Sequence, residues 1–374
     1  MEPDVIARAA PLPPGSTIGI LGSGQLGRML ALAAARLGLK THIHADESGP
    51  AFDVATATSV GAYDDTAALE RFARQIDVAT YEFENVPVAA ARHLERRVPV
   101  RPGARALETA QDRLREKQLA RDLGVGSADF SSIDSLAQLS GHLAGRARLP
   151  CVLKTRRLGY DGKGQVKINA PGEADVAWAA IGGRPAIAEA FIAFEREVSV
   201  VAARGIDGAF AAFDVTENEH RDHILHRSVA PARLSPAASA AALATTRRIA
   251  EALDYVGVLG VEYFVVANGS EPHLLFNEIA PRVHNSGHWT IEGAATSQFE
   301  QHIRAVAGWP LGATGRMAAR VEMTNLIGAE ANSWAELAAE PGLNLHIYAK
   351  RDARPGRKMG HVTRLIGEIG PKQP

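Results

Sequence analysis

Two glutamates carry the sharpest chemical signal in the chain. In "GVEYFVVANGSEPHLLFNEIAPR" the segment "ANGSEP" reads as a turn between two strands, and folding about it sets Glu262 opposite Glu278. Phe264 then opposes Phe276, and Val266 opposes Leu274, on the same face, because side chains alternate along a strand. Facing residues hold their Cβ atoms about 5 Å apart, where like charges repel. A hard cation between the carboxylates removes that repulsion, with Asn277 offering a further oxygen. The plainer alternatives are two exposed glutamates, or one kept protonated by its neighbour.

A second signal is "KTRRLGYDGKGQ", which follows the strand-like "LPCVLK". Lys154 and two arginines lead into a loop with Gly159, Gly162 and Gly164. Glycine lets backbone approach a ligand closely, and the cations ask for an anion such as phosphate. The loop lacks the spacing and the Lys-Ser/Thr ending of a Walker A motif. A solvated basic hairpin tip is the bland alternative. A third signal, Gly22, Gly24 and Gly27, forms G-x-G-x-x-G between a strand and a helix, where an anion can sit on the helix N-terminus. That pattern suits a dinucleotide, with Asp46 as the ribose acid, but a single phosphate or an empty tight turn satisfies it equally. Finally, "APRVHNSGHWT" crowds Arg282, His284, Asn285 and Ser286 against the second glutamate strand. No Ser-His-Asp arrangement and no zinc-ligand spacing can be argued.

These groups need elements to hold them. The 374 residues are 46% hydrophobic and 22% charged, enough for two or three soluble domains. With 41 basic against 42 acidic residues the net charge is −1, which argues against bulk nucleic-acid binding. Cys151 is the lone cysteine, so no disulfide framework is expected. No stretch is apolar enough to cross a bilayer, and the start does not read as a signal peptide, so a cytoplasmic setting is the default. Residues 1–15 are expected to be a disordered leader. Residues 16–108 read as a βαβ domain with a mostly parallel sheet. A helix capped by Thr109 follows ("TAQDRLREKQLARDLG"), then an antiparallel α+β module to about residue 300 with an Ala-rich helix at 236–254. A smaller segment, 301–374, contains the basic "YAKRDARPGRK".

The opening "GILGSGQLGRML", the "KTRRLGYDGKGQ" loop, "FNEIAPRVHNSGHWT" and "RPGRKMGH" resemble the ATP-grasp superfamily and, within it, the N5-carboxyaminoimidazole ribonucleotide synthases. The similarity runs in order from about residue 16 to about residue 361. It implies an α/β and α+β ATP-grasp fold: an N-terminal Rossmann-like domain, a central module with a mobile lid at about 124–192, and a small C-terminal domain. It implies ATP-dependent carboxylation of 5-aminoimidazole ribonucleotide by bicarbonate through carboxyphosphate, in purine biosynthesis. Lys154 and Arg113 would contact the phosphates of ATP, and the loop Gly159, Tyr160, Asp161, Gly162, Lys163, Gly164, Gln165 would close over them. Glu189, Ala190, Phe191 and Ile192 would line the adenine slot, Glu197 would hold the ribose, and His220 would reach the nucleotide. Glu262 and Glu278 would carry Mg²⁺, with Asn277 beside them. The ribonucleotide phosphate would sit near Gly24, Gln25, Leu26, Lys350 and Arg357. Its base and ribose would meet Glu82 or Glu84, Tyr160, Asp161, Lys163, Arg282, His284, Asn285 and Ser286. Lys154, Arg282, His284 and Asn285 are the implied catalytic set, in a homodimer acting on small molecules. Other ATP-grasp carboxylases or ligases remain open on the general features, and an NAD(P)-dependent dehydrogenase on the glycines alone.

Overall fold

Four short strands open the fold: β1 (Thr17–Leu21), β2 (Lys40–Ala45), β3 (Ala57–Val60) and β4 (Val78–Tyr81). They form a parallel sheet in the order β3-β2-β1-β4. The computed structural model of the chain describes residues 10–145, 149–159, 162–267 and 273–368. Helix Gln25–Arg36 follows β1 and buries Leu26, Met29, Leu30 and Ala34, while Gly38 ends the helical path at φ +71.

A second, antiparallel sheet comprises β5 (Phe130–Ile133), β6 (Cys151–Thr155), β7 (Gln165–Ile168) and β8 (Ala186–Ala190), ordered β5-β8-β6-β7. Helices Leu136–Leu143 and Ala174–Ala180 cover it, and Leu139, Leu153, Ile168 and Ile181 form a core of its own. It falls in the stretch where the resemblance implies a lid.

The largest sheet has nine strands: β9 (Arg196–Arg204), β10 (Phe210–Ala212), β11 (Thr216–Arg221), β12 (Ile224–Ala230), β13 (Gly257–Val266), β14 (His273–Ala280), β15 (Arg320–Ile327), β16 (Leu343–Ile347) and β17 (Lys358–Ile366). Its order is β14-β13-β9-β11-β12-β15-β17-β16, with β10 paired to the end of β9. The C-terminal strands therefore continue the central sheet through the β12–β15 pair. Helix Pro236–Ala252 is capped by Ser235, whose hydroxyl accepts from the Ala238 N–H. It packs Ala242 and Ile249 on one face of the sheet. The opposite face shares a core with helix Gln298–Val306 and the N-terminal helix, through Val201, Val258, Ile303 and Leu30. That shared core sets the parallel sheet against the central one.

Three expectations need correction. The helix after residue 109 starts at Arg113, because the Asp112 carboxylate accepts from the Leu114 N–H and caps it. Thr109 lies in the last turn of helix Ala104–Ala110 and turns its hydroxyl back to the Arg105 carbonyl. Residues 10–15, expected within a disordered leader, are seated on the fold, and residues 1–9 lie outside the described residues. Leu12 donates its N–H to Ala307 at 2.9 Å and accepts from the Trp309 indole at 2.7 Å, which seats the chain from residue 10 onward. The hairpin register also shifts. Gly260 faces Ala280 and Val261 faces Ile279, but beyond Glu262 the pairs become Tyr263–Phe276, Phe264–Leu275 and Val266–His273. A bulge at Asn277 and Glu278 absorbs the extra residue, so Phe276 turns away from Phe264 into the core.

Candidate active site

All three sheets border one cavity of about 1360 Å³. Its floor is the β13–β14 hairpin, where Glu262, Asn277 and Glu278 face inward. Burial pushes the Glu262 carboxyl above its ordinary range, and the neighbouring Glu278 adds to the push. The two carboxylates therefore lie close enough to interact. The bulge nevertheless leaves Glu262 and Glu278 out of the paired register, and the apolar pairs beside them are replaced. One cation and one imidazole answer the carboxylates: Arg113 Nη1 lies 3.1 Å from Glu278 Oε2, and His284 Nε2 lies 3.3 Å from Glu262 Oε1.

The lid side supplies Lys154 from β6 and Glu189 from β8, paired at 2.8 Å. Buried Lys117 stands 3.8 Å from the same carboxylate and donates to the Asn277 carbonyl at 2.7 Å. Burial alone would raise the Glu189 carboxyl, but Lys117 and Lys154 outweigh it and hold it at about 2. Gly159, Gly162 and Gln165 reach the cavity from the β6–β7 connection, and Arg113 also donates to the Gly159 carbonyl at 3.3 Å. Ala190, Phe191 and Ile192 line the slot beyond β8. His220 Nδ1 meets Glu197 Oε2 at 2.6 Å; burial lowers the imidazole, but Glu197 prevails and raises it.

At the other end, Arg282 donates to the Glu84 carboxylate. Burial opposes ionisation of Glu84, yet the guanidinium wins and holds it at about 2. His284 is pushed down to about 3 by burial and by Arg282. Asn285 is clamped by two reciprocal amide bonds to Asn325, at 3.0 and 2.7 Å. Gln25, Leu26 and Glu82 complete this wall.

Several expected contacts fall elsewhere. Gly24 and Gly27 direct their N–H groups at the Glu82 carboxyl, so the group seated on this helix N-terminus is the protein's own. The glycines make room for it: a Cβ on Gly24 would lie 2.7 Å from Glu82 Oε1, and one on Gly22 2.4 Å from its Cγ. Ser286 is fully buried and does not reach the cavity, because its hydroxyl is held between His284 and Ser199. Gly164 packs at Thr155, and Lys163 is exposed. Lys350 donates to the Lys358 carbonyl at 2.6 Å, and Arg357 to the Asp352 carbonyl at 3.1 Å; it is Lys358 that reaches the wall. Tyr160 and Asp161 lie outside the described residues. Asp46, the ribose acid of the dinucleotide reading, is exposed.

Sequence reasoning missed Lys117, the Phe194–Phe264 stack (4.6 Å between rings) and the cavity-facing Asn218, Arg227 and Lys358. Lys117 carries a findable signal, since it sits one turn after Arg113 on the same helix. The aromatic stack carries none, because its two rings come from distant segments.

Comparison with known proteins agrees with this architecture. The ribonucleotide synthetase preATP-grasp domain matches residues 16–111, the ATP-grasp domain 118–299, and the phosphoribosylaminoimidazole carboxylase C-terminal domain 322–368. The chain is 52% identical to N5-carboxyaminoimidazole ribonucleotide synthase of Brucella melitensis over 360 residues, 95% of this chain and 97% of that one. An ADP complex of N5-carboxyaminoimidazole ribonucleotide synthetase superposes with a TM-score of 0.91 at 39% identity, covering 96% of this chain and 95% of the other. The Aspergillus clavatus synthase in complex with ADP and 5-aminoimidazole ribonucleotide gives 0.85 at 30% identity, covering 95% of each. With the glutamate pair, the lysine-bearing lid and the Arg282–Asn285 loop around one cavity, the chain belongs to the N5-carboxyaminoimidazole ribonucleotide synthase family.

Proposed function

We propose that this chain uses ATP and bicarbonate to carboxylate 5-aminoimidazole ribonucleotide, releasing ADP and phosphate. One observation carries the reading. A single cavity joins the Glu262–Glu278 pair and the cations Arg113 and Lys154 to the polar loop Arg282, His284, Asn285. Phosphoryl transfer asks for positive charge around spreading negative charge and for little covalent help. Arg113 and Lys154, now paired to Glu278 and Glu189, are placed to exchange those carboxylates for phosphate oxygens.

The donor set fits Mg²⁺. Among the described residues no group of three or more His, Cys, Asp or Glu converges as a metal cage. Two carboxylates with a neighbouring amide are instead what a cation shared with phosphates requires. The Glu262 carboxyl is raised by burial first and by Glu278 second, and such an ion would offset both. When bound, Mg²⁺ would neutralise charge developing on the terminal phosphates. The protein's residues do the rest. Glu197 and His220 position the nucleotide, the lid loop with Gly159, Tyr160, Asp161, Gly162, Lys163, Gly164 and Gln165 excludes water, and Arg282 with Asn285 orients the ribonucleotide. Bicarbonate oxygen attacks the terminal phosphorus as the bond to ADP breaks, and the carboxyphosphate formed is kept from hydrolysis by the closed site.

Lys358 on the cavity wall, with Lys350 and Arg357 adding positive charge behind it, favours the ribonucleotide phosphate at that end. The working divisions are 16–108, 109–300 and 301–374, and likeness to the family supports a cytoplasmic homodimer on small-molecule substrates. ADP release should require both bicarbonate and aminoimidazole ribonucleotide. ADP release that ignores the ribonucleotide, with no carboxylated product, overturns the reading.

A further inference from the structure

Asn285 reaches the cavity from the loop after β14, and a second asparagine behind it sets how it does so. Asn325 lies on β15, one residue past the end of the β12–β15 ladder, and is fully buried. Its Nδ2 donates to the Leu225 carbonyl at 2.8 Å and to Asn285 Oδ1 at 2.7 Å. Its Oδ1 accepts from Asn285 Nδ2 at 3.0 Å.

An amide can be turned over, so its direction needs an anchor. The Leu225 carbonyl is one, because a carbonyl oxygen only accepts. Turning Asn325 over would set its oxygen against that carbonyl and leave buried polar groups unmatched. With Asn325 fixed, both its N–H groups are spent. Turning Asn285 over would then face oxygen with oxygen and N–H with N–H. Asn285 is thus left one N–H and one oxygen lone pair, in a single orientation. The backbone beside it has its own support. Fully buried Gln298 accepts at Oε1 from the His284 N–H at 2.9 Å, and its Nε2 donates to the His284 carbonyl at 2.7 Å. What remains for Asn325 to settle is the rotation of the Asn285 amide.

We infer that Asn325 is a positioning residue that acts through Asn285, fixing which edge of that amide the substrate meets. Neither amide titrates, so the orientation does not depend on the charge of the nearby carboxylates. The role in turnover rests on the function proposed above, whereas the clamp does not. It gives the C-terminal strands a share in the site through β15.

Two readouts on the full chain test this. In protein labelled with ¹⁵N-asparagine, the side-chain signals missing from Asn285→Ala belong to Asn285. Its clamped N–H should exchange slowly with water, and at least about tenfold faster in Asn325→Ala. Unchanged exchange overturns the clamp. The second readout is a double-mutant cycle on kcat/KM for the ribonucleotide. Asn325→Ala should cost about 10- to 100-fold, the scale of losing an outer partner. KM for ATP should stay unchanged, because the clamp lies at the Arg282 end of the cavity. In an Asn285→Ala background the same change should cost no more than about 2-fold, since nothing is left to position. Equal costs in the two backgrounds, or a parental kcat/KM in Asn325→Ala, overturn the inference. Should the truncation not fold, Asn325→Ser is read in its place, since one hydroxyl has too few groups for the reciprocal pair. A parent chain that makes no carboxylated product removes the role in turnover along with the proposed function, and the exchange readout then decides the clamp alone.

Discussion

Glu82 does at the glycine turn what a phosphate was expected to do. Both its oxygens accept from the N–H groups of Gly24 and Gly27, at the positive end of helix Gln25–Arg36. The chemistry of that turn was legible from three glycines. The identity of the group seated there was not, because Glu82 follows β4, far along the chain, and no spacing rule links it to β1. On the function proposed above, the substrate phosphate falls to the neighbouring cations, and Lys350 is the one whose charge is poised. Burial lowers its ammonium to about 8, and Arg357 and Lys358 add to the effect. Below that pH the folded chain carries a charge it holds poorly, so this residue's contribution to stability rises as pH climbs from about 8 toward the ordinary lysine value. A bound phosphate reverses the pressure and reloads the proton. At about pH 9, ribonucleotide binding should take up protons, seen as a dependence of binding heat on the buffer's ionisation enthalpy. Lys350→Met should abolish that dependence. Equal uptake by the variant would assign the proton to another group.

The β13–β14 hairpin shows what patterning reveals and where it stops. Alternation and a turn placed two glutamates on one wall of the cavity, as the strand period requires. A bulge at Asn277 and Glu278 is invisible to that period, and it exchanged Phe276 for Leu275 as the partner of Phe264. The result for the pair is a carboxyl at Glu262 raised by burial and by Glu278. A raised folded-state pKa gives stability that is full at low pH and is lost as pH rises through it. Metal-free protein should therefore melt progressively lower between about pH 5 and pH 8, and Glu262→Gln should flatten that slope. The same variant should lose turnover by about two orders of magnitude, since the missing charge acts on the transition state. Glu278→Gln also releases Arg113, so its turnover should fall at least as far. Melting curves with and without Mg²⁺, read beside ADP release, separate the two effects. Near-normal turnover of Glu278→Gln would remove the metal assignment. A smaller test lies at Gly164, whose φ of +72 and 2.7 Å from a would-be Cβ to Thr155 Oγ1 exclude a side chain. Gly164→Ala should raise KM for ATP and leave the ribonucleotide's little changed.

Across the molecule, cores divide the chain differently from composition. Sequence texture separated a parallel N-terminal unit, an antiparallel middle and a short end. The packing instead joins the N-terminal helix to the central sheet through Leu30, Val201, Val258 and Ile303, and draws β15–β17 into that sheet. Long-range packing of this kind leaves little trace in local periodicity. Among the described residues, the β5–β8 sheet has an apolar core that draws on no other sheet. It is tied to the rest by charge more than by apolar surface: Arg156 Nη2 meets Asp112 Oδ2 at 2.6 Å, Arg113 N–H donates to the Arg156 carbonyl at 2.9 Å, and Glu189 meets Lys117. Contacts of that type are exchanged more cheaply than a buried core, so this unit is the one expected to close on nucleotide. Native-state hydrogen exchange should find β5–β8 opening at lower free energy than β1–β4 or β9–β13. Mg·ATP should add protection across β5–β8 and at Gly162–Gln165, with little change in the parallel sheet, because the binding energy is spent on ordering the lid. Arg156→Ala, which cuts the tie to Asp112, should speed exchange in β5–β8 alone and raise KM for ATP. If that variant loosens the whole chain together, or Mg·ATP protects every sheet equally, the lid moves with the body and the glycine loop has another purpose.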